Sequence, residues 1–279
     1  MSKKTRTIRD IDLEKADLHV HSNRSDGLLS IQEVVEEIKK QGNTIMAITD
    51  HDGVYGVSEA IKVGEALGDI RVIPGIEFST KGPKGEELHM LGYFIDTENP
   101  LLKQTIEEVR EARRERNIEL YEALTQMGIP ISEEDFFGIP NEGYVGKPSI
   151  ARKLMEKGLL KNFEDAFKNG KYLDSKEIRS IKKRKVSAEK IIRVIEEAGG
   201  VSVLAHPMKI KKIGSRGSEE FWDNLDLLIR QLKEYGLGGL ECFYPTHTPE
   251  EISKILAMAE KFELFVTKGT DFHSCLEKG

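Results

Sequence analysis

At 279 residues the chain is long enough for one barrel-sized domain, or two smaller ones, with a sizeable buried core. Hydrophobic residues make up 38% and charged residues 32%, and the net charge is −6, so no general field favours duplex DNA and anion binding has to come from local Lys/Arg clusters. Two cysteines, Cys242 and Cys275, exclude a disulfide framework. No run approaches the roughly 18 apolar residues of a membrane span, and the basic N-terminal stretch lacks a secretory apolar segment. The cytoplasm is the expected location, with no membrane partner.

From residue 16 to about 100, short β-rich runs alternate with amphipathic helical stretches. Residues 16–21 read as a strand and 30–41 as a helix, with Ser30 as N-cap, Glu33 as its capping-box partner and Gly42 as its stop. Residues 44–49 read as a buried strand and 57–67 as a second helix ending at Gly68. Strands over 71–79 and 87–95 flank Lys81-Gly82-Pro83-Lys84-Gly85, a hairpin connection that breaks the βα alternation. From about 100 to 186 the pattern becomes helical: one long charged helix over 101–127, then shorter ones over 149–157 and 162–169. The earlier rhythm then returns. A helix over 188–198 precedes a strand over 201–205, helix 219–235 precedes strand 239–243, and helix 249–262 precedes strand 264–267. This order predicts a mostly parallel α/β barrel with chemistry at the carboxyl ends of its strands, interrupted by a helical insertion. The boundaries are 1–99 and 187–279 for the barrel and 100–186 for the insertion.

Six of the seven histidines lie in pieces that also carry Asp or Glu. In Asp17-Leu18-His19-Val20-His21 strand alternation puts His19 and His21 on one face, with Leu18 and Val20 facing an apolar layer. Asp26 follows in a glycine-punctuated loop, as a ligand or as the shaper of the Ser25-Asp26-Gly27 turn. Later strand ends add His51, Glu77, His89, His206, Asp271 and His273. Nine such residues exceed the needs of one zinc but suffice for two or three ions if a carboxylate bridges. Mixed imidazole and carboxylate ligation suits Zn, Mn or Fe.

The segments DLHVHSNRSDG (17–27), AITDHDGV (47–54), IPGIEFST (73–80), LHMLGYFID (88–96), VLAHP (203–207) and GTDFHS (269–274) together resemble the polymerase-and-histidinol-phosphatase (PHP) family of metal-dependent phosphoesterases. The resemblance runs from end to end. It implies a distorted seven-stranded α/β barrel with a trinuclear site whose metal-bridged hydroxide attacks a phosphoester. It implies one ion on His19, His21, Glu77 and Asp271, a second on Glu77, His89 and His206, and a third on Asp26, His51 and His273. Asp50 and Asp52 fall outside that set: either orients His51 through its second nitrogen, or Asp52 only shapes the turn into Gly53.

The insertion, with Gly146-Lys147-Pro148-Ser149-Ile150-Ala151-Arg152, resembles that of members acting on nucleoside 3′,5′-bisphosphates and the 5′ ends of short RNAs. The expected substrate is therefore a small phosphorylated nucleotide or a short RNA end. The resemblance implies that Lys147 and Arg152 line a phosphate pocket, with Arg113, Arg116 and Ser149 as further candidates. Arg is suited to bidentate phosphate contact, although the charges of 107–116 also read as an ordinary solvated helix face. His247 is a candidate for phosphate binding or for protonating a leaving oxygen, or a plain loop histidine. Three departures stand out: Ser149 where members commonly carry His, the basic stretch 176–185, and a chain end six residues after His273. Competing expectations are a histidinol-phosphate-type phosphatase, which the long insertion disfavours, and a non-catalytic metal-dependent nucleotide-binding module.

Overall fold

Seven strands form one sheet in chain order: β1 (Ala16–Val20), β2 (Ile45–Ile48), β3 (Arg71–Lys81), β4 (Glu87–Tyr93), β5 (Val201–Leu204), β6 (Gly239–Phe243) and β7 (Phe265–Lys268). In this computed structural model residue 8, residues 10–137 and residues 145–274 are described; Cys275 lies outside them. All neighbours pair in parallel except β4, which is antiparallel to both β3 and β5. A parallel bridge between Val20 and Phe272 brings the last segment beside β1, so the sheet is a nearly closed, mixed α/β barrel. The reversed β4 follows from its two-way hairpin with β3. It lets His89, near the start of its strand, reach the barrel end where the parallel strands finish.

The covering helices are α1 (Ile31–Lys40), α2 (Val57–Leu67), α7 (Ala188–Glu197), α8 (Glu219–Glu234) and α9 (Pro249–Lys261). Their ends follow the capping chemistry of the sequence. Ser30 accepts from Glu33 N–H while the Glu33 carboxylate accepts from Ser30 N–H at 2.8 Å, and Gly68 closes α2 in the left-handed conformation. Ile31, Val34, Val35 and Ile38 of α1 pack on Val20, Met46 and Ile48, while Leu18, Ala47, Ile73, Leu91 and Val203 form a separate apolar cluster. Leu18 and Val20 thus do not share one layer as strand alternation predicts. The pairing of β1 with β2 slips by one residue between Asp17 and Val20, and such a bulge re-aims the side chains around it. A second slip lies between Glu241 and Phe243 of β6.

Residues between Pro100 and Val186 contribute α3 (Pro100–Gln126), α4 (Glu133–Phe137), α5 (Lys147–Glu156), α6 (Lys176–Ser180) and short 3₁₀ turns at Phe163–Phe167 and Tyr172–Asp174. The helix expected over 162–169 is such a turn. Leu120, Leu124, Phe136, Ile150, Leu154, Leu173 and Ile178 form their own core. The first half of α3 belongs elsewhere: Leu102, Ile106 and Val109 pack into the barrel cluster with Ile191 and Ile195 of α7. The change of core therefore falls inside α3 rather than at residue 100. After α6 the chain runs extended beside the end of β3, where Lys81 N–H and the Thr80 hydroxyl both donate to Val186 carbonyl. Among the described residues no helix is long and apolar enough to cross a membrane.

Candidate active site

Glu77, fully buried within β3 rather than at its tip, is the hub. Its Oε1 lies 2.9 Å from His89 Nδ1, 3.3 Å from His19 Nε2 and 3.3 Å from His206 Nε2. Its Oε2 lies 3.0 Å from His51 Nδ1 and 3.3 Å from His21 Nε2. Asp271 Oδ1 stands 3.4 Å and 3.3 Å from Nε2 of His19 and His21. Asp26 faces His273 Nε2 at 3.3 Å and His51 Nε2 at 3.6 Å. All nine sequence-predicted residues therefore meet in one cluster.

The ligand atoms converge in three groups: His19, His21, Glu77 and Asp271; His21, Asp26, His51 and His273; and His51, Glu77 and His89. The first repeats the expected set. In the others His51 and His21 are shared, while His206 stands beside Glu77 without joining a convergent group.

Burial and mutual charge oppose each other throughout this cluster. Burial alone would raise the carboxyls, but His51, His89 and His19 around Glu77 hold it well below the usual range. Burial pushes His51 down to about 4, against the pull of Glu77 and Asp26, and also depresses His206. His273 moves the other way, up to about 9, because its bond to Asp26 and that charge outweigh burial. His19 Nε2, both nitrogens of His21, His206 Nδ1 and Glu77 Oε2 are buried without a hydrogen-bond partner among the described residues. Leaving such atoms unpaired costs roughly 1–3 kcal/mol each, and divalent cations among them would remove that cost. The donor set of imidazoles and carboxylates fits such ions.

A surrounding shell fixes the ligand atoms. Glu241 is completely buried; it accepts from His19 Nδ1–H at 2.9 Å and from His206 backbone N–H at 2.7 Å. Nε2 of His19 is thereby left to face Glu77 and Asp271. His273 Nδ1–H donates to Asp271 carbonyl at 2.7 Å, which likewise leaves its Nε2 for Asp26. Asp17 ties β1 to the last loop through Thr270 N–H (3.0 Å) and hydroxyl (2.5 Å). Gly269 is required there, since a Cβ would run into His19 and Glu241. Tyr244 hydroxyl and Lys209 both donate to Asp271 Oδ2, at 2.8 and 3.0 Å. His206 and Asp271 themselves hold positive φ, 27° and 55°, a strain that concentrates at functional sites.

Neither Asp50 nor Asp52 takes the expected role toward His51, whose two nitrogens face Glu77 and Asp26. Asp50 accepts from Ser22 N–H and hydroxyl at 2.8 and 2.7 Å and from the Ser25 hydroxyl at 2.6 Å, shaping the loop that carries Asp26. Asp52 accepts from Ser79 N–H and is paired with Arg113 and with Lys183, the latter at 2.8 Å.

Arg113 and Arg116 are buried, 6% and 7% exposed, which separates them from the solvated face formed by Glu107, Glu111, Arg114 and Glu115. They join Lys147, Lys183 and Lys185 in a cleft of about 730 Å³ that opens onto His51 and His89. Burial lowers all three lysines, Lys183 to about 8; repulsion from Arg116 and Lys182 adds to the effect at Lys147. Arg152 lies on another side of the cluster, its guanidinium donating to Asp26 carbonyl at 2.6 Å. Ser149 lines neither cleft beside the cluster; its hydroxyl accepts from Gly146 N–H at the start of α5. His247 is buried against Tyr244 (ring centroids 5.2 Å apart), donates from Nδ1 to Cys242 carbonyl at 3.0 Å, and lines neither cleft.

Sequence reasoning missed Glu241, Tyr244, Lys209, Lys183 and Lys185. A carboxylate flanked by Leu240 and Cys242 on an otherwise apolar strand was the available signal for Glu241. The two lysines alternate along the extended stretch after α6, so that both turn inward.

The PHP domain model matches residues 17–241, and the chain belongs to that family. It is an enzyme of the phosphoric ester hydrolase class with a metal-binding site. It is 30% identical to a 5′-3′ exoribonuclease of Haemophilus influenzae over 93% of this chain and 90% of that one. A phosphoribosyl 1,2-cyclic phosphate 1,2-diphosphodiesterase of Eggerthella lenta is 29% identical (92% and 93% covered), and a 3′,5′-nucleoside bisphosphate phosphatase of Chromobacterium violaceum 28% (94% and 88%). A solved structure from Bifidobacterium adolescentis, described as a metal-dependent phosphoesterase, superposes with a TM-score of 0.82 at 28% identity, covering 95% of this chain and 89% of that one.

Proposed function

We propose that the enzyme hydrolyses a phosphomonoester of a nucleoside 3′,5′-bisphosphate, or the terminal phosphodiester at the 5′ end of a short RNA. The observation that carries this reading is the joining of one buried His/Asp/Glu cluster to a cleft holding five buried or half-buried cations in a chain of net charge −6. A substrate with one phosphate at the cluster and another beyond it needs that arrangement. The full-length likeness to an exoribonuclease and to a bisphosphate phosphatase supports the nucleotide.

Two or three divalent ions, Mn, Zn or Fe, would be held by His19, His21, Glu77 and Asp271, by Asp26, His51 and His273, and by Glu77 with His89 and His206. When bound, they would lower the pKa of a water toward neutrality and neutralise phosphate oxygens during in-line displacement. The chain's own residues do the rest. Glu241 and the Asp271 carbonyl fix which imidazole nitrogens face inward, Asp50 holds the Asp26 loop, and Asp52 anchors Arg113 and Lys183 at the mouth of the cleft. Lys147, Arg113 and Arg116 neutralise and orient the phosphate that is not cleaved, and Arg152 braces Asp26. Residues 100–186 act in this reading as a cap over the barrel end. Retention of every ligand-type residue in one cluster speaks for a catalytic rather than a purely binding role.

A cyclic phosphodiester of phosphorylated ribose is the second reading, favoured by the Eggerthella relative. Hydrolysis should be compared, with Mn²⁺ present, on adenosine 3′,5′-bisphosphate and histidinol phosphate (read as phosphate release), a 5′-phosphorylated trinucleotide (read as nucleoside 5′-monophosphate) and a phosphoribosyl cyclic phosphate (read as the ring-opened phosphomonoester). Highest kcat/KM on the bisphosphate or the trinucleotide supports the proposal. Preference for histidinol phosphate would refute it.

A further inference from the structure

We propose that His247 is a positioning residue for the metal cluster: its ring locks the bulge in β6 and thereby sets Glu241 and Tyr244 behind the ligand side chains. Residues 241–247 touch the cluster at two points. Glu241 accepts from His19 and from the His206 backbone, and Tyr244 donates its hydroxyl to Asp271 Oδ2. His247 reaches neither cleft beside the cluster, so its influence passes through these neighbours. The phosphoesterase reading above is needed for the turnover arm of the test below and not for its metal arm.

In the pairing of β6 with β7, Glu241 faces Thr267 and Phe243 faces Lys268, so Cys242 is an extra residue with no counterpart. A bulge re-aims the side chains on either side of it and leaves the extra residue outside the ladder. Cys242 is completely buried, so its carbonyl needs a donor from elsewhere. His247 Nδ1–H supplies one at 3.0 Å, and His247 backbone N–H donates to Tyr244 carbonyl at 3.0 Å. These two bonds close residues 242–247 into a compact loop. The imidazole lies against the Tyr244 ring, centroids 5.2 Å apart, and Tyr244 in turn meets His206 edge-on at 5.6 Å. Packed on both rings, Tyr244 has little freedom to withdraw its hydroxyl from Asp271. Arg216 fastens the next turn, bidentate on Glu251 at 2.8 Å and donating to Thr246 carbonyl. The imidazole suits a structural bond better than proton transfer. Burial depresses its pKa and favours the neutral ring, and its proton is committed to Cys242 through Nδ1. Nε2 is buried without a hydrogen-bond partner among the described residues and carries no proton to give a leaving oxygen.

The test measures Mn²⁺ dissociation constants, by chelator competition without substrate, for the full chain and for His247→Asn, His247→Leu and Tyr244→Phe. His247→Asn keeps an N–H donor near the place of Nδ1, whereas His247→Leu keeps apolar bulk and loses the donor. His247→Leu and Tyr244→Phe should each raise the dissociation constant about tenfold, the low end for a group behind a metal-ligating side chain, and His247→Asn should stay within about threefold. At saturating Mn²⁺, kcat and KM for adenosine 3′,5′-bisphosphate should remain near wild type in both His247 variants. Equal losses of affinity in His247→Asn and His247→Leu, or unchanged affinity in His247→Leu, would overturn the proposal. So would a loss of kcat that saturating Mn²⁺ does not relieve, which marks a proton donor, or a raised KM, which marks a phosphate ligand. Should His247→Leu not fold, the other two variants decide: a loss in His247→Asn as large as in Tyr244→Phe, or no loss in Tyr244→Phe, overturns it. Wild-type protein that binds Mn²⁺ yet leaves the nucleotide intact would remove the phosphoesterase reading, and the affinities would still decide the role of His247.

Discussion

Replacing Glu241 by Gln tests the shell around the cluster with almost no change in volume. In the native protein the carboxylate accepts from His19 Nδ1–H at 2.9 Å and from His206 backbone N–H at 2.7 Å, in complete burial. An amide retains one acceptor oxygen, so one of the two donors must meet an NH₂ group instead. A hydrogen bond to a charged group contributes about 1.5–3 kcal/mol, and loss of a partner behind a ligating His typically costs about 10–100-fold in metal affinity. The expected result for Glu241→Gln is thus a metal dissociation constant raised about 10–100-fold, read by competition with a chromophoric chelator. Excess Mn²⁺ should recover part of the turnover, because the phosphate-binding residues are untouched. Binding within twofold of wild type, or loss of turnover that no metal concentration relieves, would refute the reasoning.

Three further outcomes are expected. Lys183 carries its charge below about pH 8 and loses it above, since burial depresses it from the ordinary lysine range. KM for a nucleoside bisphosphate should therefore rise between pH 7 and 9, and Lys183→Arg should flatten that rise; an identical pH dependence in both proteins would count against the phosphate role. Asp50→Ala strands Ser22 N–H and two buried hydroxyls, so urea unfolding should show a loss of about 2–4 kcal/mol, and stability within experimental error of wild type would show that the Asp26 loop does not depend on it. Gly269→Ala forces a methyl against His19 and Glu241, with about 1–3 kcal/mol of overpacking and weakened metal binding; calorimetry that finds neither would mean the loop has room to yield.

Much of the barrel was legible because its strands and helices are short, capped and separated by turn residues: Ser30 with Glu33, Gly68, and the 81–85 hairpin all sit where local chemistry puts them. The nine ligand-type residues were legible for a related reason. Strand ends of a barrel converge, so His and Asp at successive ends had to meet. Leu18 was misread because a one-residue slip in pairing is a tertiary event that no alternation pattern records. For Asp52 the sequence offered a partner for its neighbour His51 or a shaper of the turn into Gly53, whereas its carboxylate is taken by Arg113 and Lys183, 61 and 131 residues away. Glu241 was overlooked because its role lies in the bonds it accepts across the barrel, from His19 and His206. Charge pattern alone could not separate Arg113 and Arg116 from the solvated face of α3, since their partners, Asp52 at the barrel end and the Val145 carbonyl before α5, lie far away in sequence.

The most direct test of the account is a titration of metal-stripped protein with Mn²⁺ while phosphate release from adenosine 3′,5′-bisphosphate is followed. The account predicts no turnover without metal, saturation after about two to three equivalents, and loss of both metal uptake and turnover in Asp271→Asn. Full turnover by the metal-stripped protein, or a fully metal-loaded protein that leaves the nucleotide intact, would contradict it.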